Sequence, residues 1–283
     1  MEFAVVDGIV EGRGGAIAVR DYLPARVTAA SAFLWVHGGG FTSGGLDQKE
    51  SDAPARALAS VGRRVRTVDY RLAPRVSLWG ELRLDPHPNR FPAAHHDVFD
   101  VLTDLRSDFD GPVSLGGASA GANIAAGVAM ALRDAGAPAP RSLVLTYGTF
   151  HAELPERPDV EAELRGPLVK WAFNPKMTRR MNLNYVGDES LMRPGYAFPG
   201  GADLRDLPPT LIVNSRNDRL RRSGDAFADE LRAAGVEVRR EVIASTHAFL
   251  NTPKTAGYAE GIGYITEWLD RHDAHDPTKE IHS

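Results

Sequence analysis

The sequence predicts an α/β protein built on a mostly parallel sheet with helices on both faces. Short apolar runs alternate with helix-length segments along most of the chain. Several of those runs are apolar at every position, as strands buried on both faces are. They end in glycine or polar residues, where the loops of a parallel sheet carry chemistry.

The 283 residues suffice for a single domain over 1–283 with a sizeable core. A composition of 43% hydrophobic and 25% charged residues is that of a globular chain. With 33 basic against 37 acidic residues the formal charge is −4, which predicts no nucleic-acid or anionic-membrane partner. The absence of cysteine excludes disulfides, thiolate metal sites and a cysteine nucleophile. The start, Met1-Glu2-Phe3-Ala4-Val5-Val6-Asp7-Gly8, lacks the basic residues and apolar core of a secretory signal. No apolar run approaches the ~18 residues of a membrane span. The expectation is a soluble cytoplasmic protein, monomeric or homodimeric.

In chain order, residues 3–10 and 16–22 flank Gly12-Arg13-Gly14-Gly15 and read as an antiparallel hairpin. Gly12 and Gly14 do not open a dinucleotide loop, because the next glycine of that pattern falls on Ile17. Residues 32–36 read as a buried strand, 51–61 as a helix and 65–69 as a second strand. A proline-bearing loop spans 75–90, with Trp79 and Leu82 expected at the surface as a possible dimer contact. A helix over 93–109 precedes the strand that leads into Gly117-Ala118-Ser119-Ala120-Gly121. Residues 123–132 are apolar nearly all round and predict a buried helix. After a strand at 143–147, residues 150–207 break the rhythm, with helical hints only at 167–173 and 176–185. A long insertion of that kind suggests a lid. Strand 210–213, helix 224–234, strand 237–243 and helix 258–270 complete the pattern, and 271–283 reads as a polar, frayed tail.

Gly117-Ala118-Ser119-Ala120-Gly121 fits G-x-S-x-G, the tight strand-to-helix turn that lifts a nucleophilic serine above a sheet. The same residues could be a glycine-rich loop with Ser119 capping a helix. A reacting serine needs a base, a group that orients the base, and donors for an oxyanion. His37-Gly38-Gly39-Gly40, directly after a buried strand, offers backbone N–H groups uncovered by side chains, although it could also be a plain turn. Five histidines follow Ser119. His272, His275 and His282 fall in the polar tail and His151 opens the insertion. His247, after strand 237–243, is the candidate base. Asp218, after strand 210–213, is the candidate acid, with a helix N-cap as its alternative role. Asp225 falls inside a helical pattern and should point away. His95-His96 has no further ligand at a metal-binding spacing, so no metal is expected there.

In the order His37-Gly38-Gly39-Gly40-Phe41, Asp69-Tyr70-Arg71-Leu72-Ala73-Pro74, the serine motif, Asp218 and His247, the chain resembles the hormone-sensitive-lipase-like esterases of the α/β-hydrolase fold. Phe91-Pro92-Ala93-Ala94 followed by Asp97 strengthens the resemblance, which covers roughly residues 19–269. It implies Ser119 as nucleophile, His247 as general base then acid, and Asp218 as the orienting acid. It further implies an oxyanion hole from the N–H groups of Gly39, Gly40 and Ala120, with His37 and residues 69–74 as supports. The implied activity is a serine carboxylesterase acting on small or short-acyl esters without cofactor or metal. An amide, carbamate or lactone hydrolase with the same residues, or a non-catalytic receptor on this fold, is the alternative. Three positions depart from the family pattern. Ala118 stands where an acid is common before the nucleophile, Arg219 where proline is frequent after the acid, and Ala248 where glycine follows the histidine. The chain also enters its first strands almost at once, which predicts a reduced cap formed mainly by 150–207, with 75–90 as a second wall.

Overall fold

The computed structural model describes residues 1–76 and 80–274. One eight-stranded sheet runs through it in the order β1-β2-β4-β3-β5-β6-β7-β8. β1 (Phe3–Gly12) and β2 (Gly15–Pro24) form the antiparallel hairpin at one edge, and β2 pairs antiparallel with β4 (Val65–Asp69). From β4 onward every pairing is parallel, through β3 (Ala32–Val36), β5 (Val113–Ala118), β6 (Leu143–Thr146), β7 (Thr210–Asn217) and β8 (Val238–Thr246). The chain steps from β3 outward to β4, then crosses back to β5 on the other side of β3. The strand order therefore reverses between β3 and β5, and a crevice opens outside their carboxyl ends.

β3 is buried at all five positions because both faces of the sheet are covered. Phe33 and Trp35 face one layer with Leu58, Ile265 and Trp268, from α1 (Lys49–Ser60) and α8 (Ala256–Ala274). Leu34 and Val36 face the other with Val98, Leu102, Ile124 and Phe227. Those come from α2 (Ala93–Ser107), α3 (Ala120–Asp134) and α7 (Arg221–Ala233). The period of two in β3 thus divides the core into two layers.

Segment 150–207 folds into α4 (Pro158–Glu163), α5 (Pro167–Trp171) and α6 (Pro175–Val186). All three carry proline in the first turn, where its missing N–H costs nothing. Asn174 caps α6 by accepting from the Met177 N–H at 3.0 Å, and Gly187 ends it in the left-handed region. Tyr185 of α6 stacks on Phe41 at 3.9 Å between ring centroids, which fastens the segment to the glycine loop after β3.

Several boundaries differ from the sequence reading. β7 runs to Asn217 and β8 to Thr246, past the apolar runs, because backbone pairing continues through polar residues. α3 begins at Ala120 rather than Asn123 and α7 at Arg221 rather than Gly224, glycines being tolerated where they pack closely. α4 had no apolar repeat to announce it. Leu82 is partly buried against the core, not exposed, and Trp79 lies outside the described residues. His272 is no tail residue. It is buried in α8 against Trp268, with ring centroids 4.0 Å apart, and residues 275–283 lie outside the described residues. Among the described residues no helix is long and apolar enough to cross a membrane.

The Asp69-Tyr70-Arg71 stretch is tied to α2 by one carboxylate. Asp97 is 1% exposed and accepts from the Arg71 backbone N–H at 2.8 Å and from its guanidinium at 2.7 Å. Removing it strands one backbone donor and one cation. Asp97→Ala is expected to destabilise the fold by about 2–3 kcal/mol, read as a lowered urea midpoint with an unchanged slope.

Candidate active site

β5 ends at Ala118 and α3 starts at Ala120, so Ser119 alone makes the turn, with φ 52° and ψ −117°. That conformation is strained for a residue bearing a β-carbon and survives only where the surroundings enforce it. The enforcement is a backbone contact. A β-carbon on Gly121 would overlap the carbonyl oxygens of Val36 and His37, and one on Gly117 would lie 2.8 Å from the Val36 oxygen. With glycine at both places the turn packs directly on the end of β3. The Ser119 N–H donates to the Thr146 carbonyl at 2.9 Å, and its side chain caps nothing.

The loops after β7 and β8 meet this serine. Ser119 Oγ lies 3.1 Å from His247 Nε2, and His247 Nδ1 lies 2.7 Å from Asp218 Oδ2. The other Asp218 oxygen accepts from the Leu220 N–H at 3.0 Å, which fixes the carboxylate at the mouth of α7. A carboxylate can only accept, so Nδ1 carries the imidazole proton and Nε2 is free to accept from the serine hydroxyl. The imidazole is flanked by Tyr147, edge-on at 5.1 Å between ring centroids, and by Phe173, tilted at 4.7 Å. Burial works against its imidazolium form. The Asp218 carboxylate, by charge and hydrogen bond, and the Glu50 carboxylate by charge, outweigh burial and hold the pKa above the ordinary histidine value.

The glycine loop supplies donors at the same place. Gly39 and Gly40 take φ 116° and 59°, and a β-carbon at Gly39 would overlap the Ser43 carbonyl. Among the described residues their N–H groups meet no acceptor. The Ala120 N–H opens α3, where the helix dipole is positive, and among the described residues it meets no acceptor. His37 is buried and its Nδ1–H donates to the Gly38 carbonyl at 2.7 Å, while the Tyr70 hydroxyl donates to the His37 carbonyl at 3.0 Å. His37 and Tyr70 therefore brace the loop and stay out of the cavity.

The other candidates lie elsewhere. Asp225 accepts from Asn214 at 2.9 Å and Arg221 at 3.1 Å, away from His247. His95 sits between the Tyr185 hydroxyl and the Tyr196 carbonyl, both at 2.9 Å, and burial lowers its pKa to about 4. His151 bridges Ser223 and Glu230. Among the described residues no cluster of side chains could hold a metal ion.

Residues 33–251 match the family model described as the alpha/beta hydrolase fold, a span containing every one of these groups. The chain belongs to the hormone-sensitive-lipase-like esterase family of the α/β-hydrolase fold. It is 32% identical over 235 residues to carboxylesterase NlhH of Mycobacterium tuberculosis, an alignment covering 78% of this chain and 64% of that one. It is 30% identical over 291 residues to esterase LipI of the same organism, covering 95% and 80%. Among solved structures it resembles a hyperthermophilic esterase from Pyrobaculum calidifontis, with TM-score 0.81, 29% identity and coverage of 95% and 85%.

In this α/β-hydrolase the serine opens into a cavity of about 400 Å³. One wall comes from segment 150–207, with Phe173, Met177 and Met181; Val76, just before the undescribed residues, is part of the lining as well. Of six non-glycine residues with positive φ among the described residues, Phe41, Ser119, Tyr147, Phe173 and Ala248 adjoin this site, so backbone strain is concentrated there. Sequence reasoning passed over Glu50, Tyr147 and Phe173. Only Tyr147, at the tip of a predicted strand, carried a signal, its position beside the serine strand.

The His247 imidazole is expected to titrate above the ordinary value of about 6.5, and in Asp218→Asn its pKa should fall because the main opposing charge is gone. Histidine NMR across pH 4–9 checks both (that window brackets the ordinary value). A wild-type value at or below the ordinary one would refute the electrostatic reading.

Proposed function

We propose that this chain is a serine carboxylesterase acting on small or short-acyl esters. The observation that carries the reading is the relay from Ser119 Oγ through His247 to Asp218, set beside three N–H groups that lack acceptors. Ser119 attacks the ester carbonyl as its proton passes to His247 Nε2, and the N–H groups of Gly39, Gly40 and Ala120 receive the oxyanion. The tetrahedral adduct collapses as His247 returns the proton to the leaving alcohol, which departs and leaves an acyl-Ser119. Water then attacks, its proton goes to His247, and the second adduct releases the acid and restores the serine hydroxyl. Asp218 holds the imidazole in the tautomer that both steps need.

Segment 150–207 serves as a reduced cap in this reading. The wall of Phe173, Met177 and Met181 stands over the glycine loop, and a β-carbon on Gly40 would lie 2.6 Å from the Met181 methyl. That leaves little depth beyond the oxyanion position, which supports short acyl groups. Carboxylesterase and esterase activity in the relatives named above supports the ester bond as the target.

A fluorophosphonate probe is expected to label Ser119 alone, as read by peptide mass. Ser119→Ala should lower p-nitrophenyl acetate turnover by about 10⁴-fold or more. Turnover should fall as the acyl chain lengthens. Undiminished activity in Ser119→Ala would end the nucleophile assignment, and equal rates on long chains would end the short-acyl reading.

A further inference from the structure

Glu50 is an acid with an unusual position. It is 2% exposed, at the first turn of α1, and its carboxylate lies against the loop that carries Gly39 and Gly40. Oε1 accepts from the Gly38 N–H at 2.9 Å and from Gln48 Nε2 at 2.8 Å. Oε2 accepts from the Tyr147 hydroxyl at 2.9 Å and from Asn251 Nδ2 at 3.2 Å. Asn251 Oδ1 in turn accepts from the Glu50 N–H at 3.1 Å, and the Trp35 indole donates to the Glu50 backbone carbonyl at 2.7 Å. The nucleophile turn brings no carboxylate of its own, since residue 118 is alanine. Gly38, which Glu50 holds, is so close to the turn that a β-carbon there would lie 2.9 Å from Ser119 Cβ.

We propose that Glu50 is a positioning residue of the esterase: its carboxylate fixes the oxyanion loop through Gly38 and stabilises the imidazolium that His247 forms in each half-reaction. The proposal rests on the esterase reading above. Its first part follows from geometry, because Gly38 immediately precedes the two glycines whose N–H groups receive the oxyanion. A donor displaced by even 1 Å loses most of its catalytic effect. Its second part follows from charge. Two carboxylates act on the His247 imidazole, Asp218 by direct contact and Glu50 across the Tyr147 ring. The remaining titratable neighbours of Glu50 are Tyr147 and Tyr70, both of which burial keeps as neutral phenols. Burial is the largest influence on Glu50 itself and pushes its pKa up, but its four donors favour the ionised form. The Gly38 backbone N–H can only donate, and it favours an ionised Oε1.

The test compares E50Q and E50D with the wild type on p-nitrophenyl acetate, with folding checked by circular dichroism. In E50Q, kcat should fall roughly 10- to 100-fold, less than the loss of a whole oxyanion donor, with KM within about twofold. The acid limb of its kcat/KM profile should move to lower pH, since one of the two charges favouring the imidazolium is gone. E50D keeps the charge but cannot span Gly38 and Tyr147, so kcat should fall while the acid limb stays near its wild-type place. A folded E50Q with wild-type kcat, or with a reduced kcat and an unmoved limb, overturns the proposal. Should E50Q fail to fold, wild-type kcat in E50D overturns it. These outcomes are separate from failure of the esterase reading, which Ser119→Ala decides in the wild-type background.

Discussion

The site depends first on two strands touching backbone to backbone. Gly117 and Gly121 let the turn after β5 settle on the carbonyls of Val36 and His37 at the end of β3. The contact forces Ser119 into a positive φ, and it also sets the distance between the serine and the glycine loop that follows β3. Serine and N–H donors are therefore placed by one contact rather than by two independent loops. A side chain at either glycine would have to move main-chain atoms inside a fully buried strand, which interiors resist.

The parallel sheet supplies the rest because its carboxyl ends all face one crevice. β3, β5, β7 and β8 each deliver one chemical part, and the reversal of strand order between β3 and β5 leaves room above them. The imidazole arrives into an environment that pulls both ways. Tyr147 and Phe173 flank the imidazole and its burial penalises the charged form, while Asp218 and Glu50 favour it. In such a balance an imidazole can take up a proton and release it again. Neither influence would serve alone: burial by itself would leave too weak a base, and exposed carboxylates would be screened.

Much of this was legible in the sequence because it depends on residue types at strand tips. Alternating apolar runs gave the layers, and Ser119, Asp218 and His247 each follow one of those runs in the order the resemblance implies. What stayed hidden depends on contacts between distant positions. Glu50 touches Gly38, Tyr147 and Asn251, which share no spacing with it, and a charged residue at a helix start reads as solvent-facing. Leu82 and His272 were misplaced for the converse reason. Their neighbours in sequence are polar, yet the fold brings apolar partners to them from elsewhere. α4 is a single short turn-rich helix held by charge, so periodicity had nothing to detect.

That charge pairing links the cavity wall to the acid. Asp218 is followed by Arg219, and Arg221 and Arg222 follow Leu220. Arg219, buried at 7% exposure, pairs with Glu161 of α4 at 2.6 Å, and Arg221 pairs with Glu163 at 3.1 Å. Arg222 donates to the Pro155 carbonyl. In each pair the arginine is buried and the carboxylate is partly exposed, and the pairs fix the geometry of this stretch. They anchor α4 to the same few residues that hold the Asp218 carboxylate, and the chain runs on from α4 through α5 to Phe173, which packs on His247. The departure at Arg219 from the proline frequent in the family thus has a structural consequence. The cavity wall that carries Phe173 and the Asp218 carboxylate are held by neighbouring residues of one short stretch, 218–222.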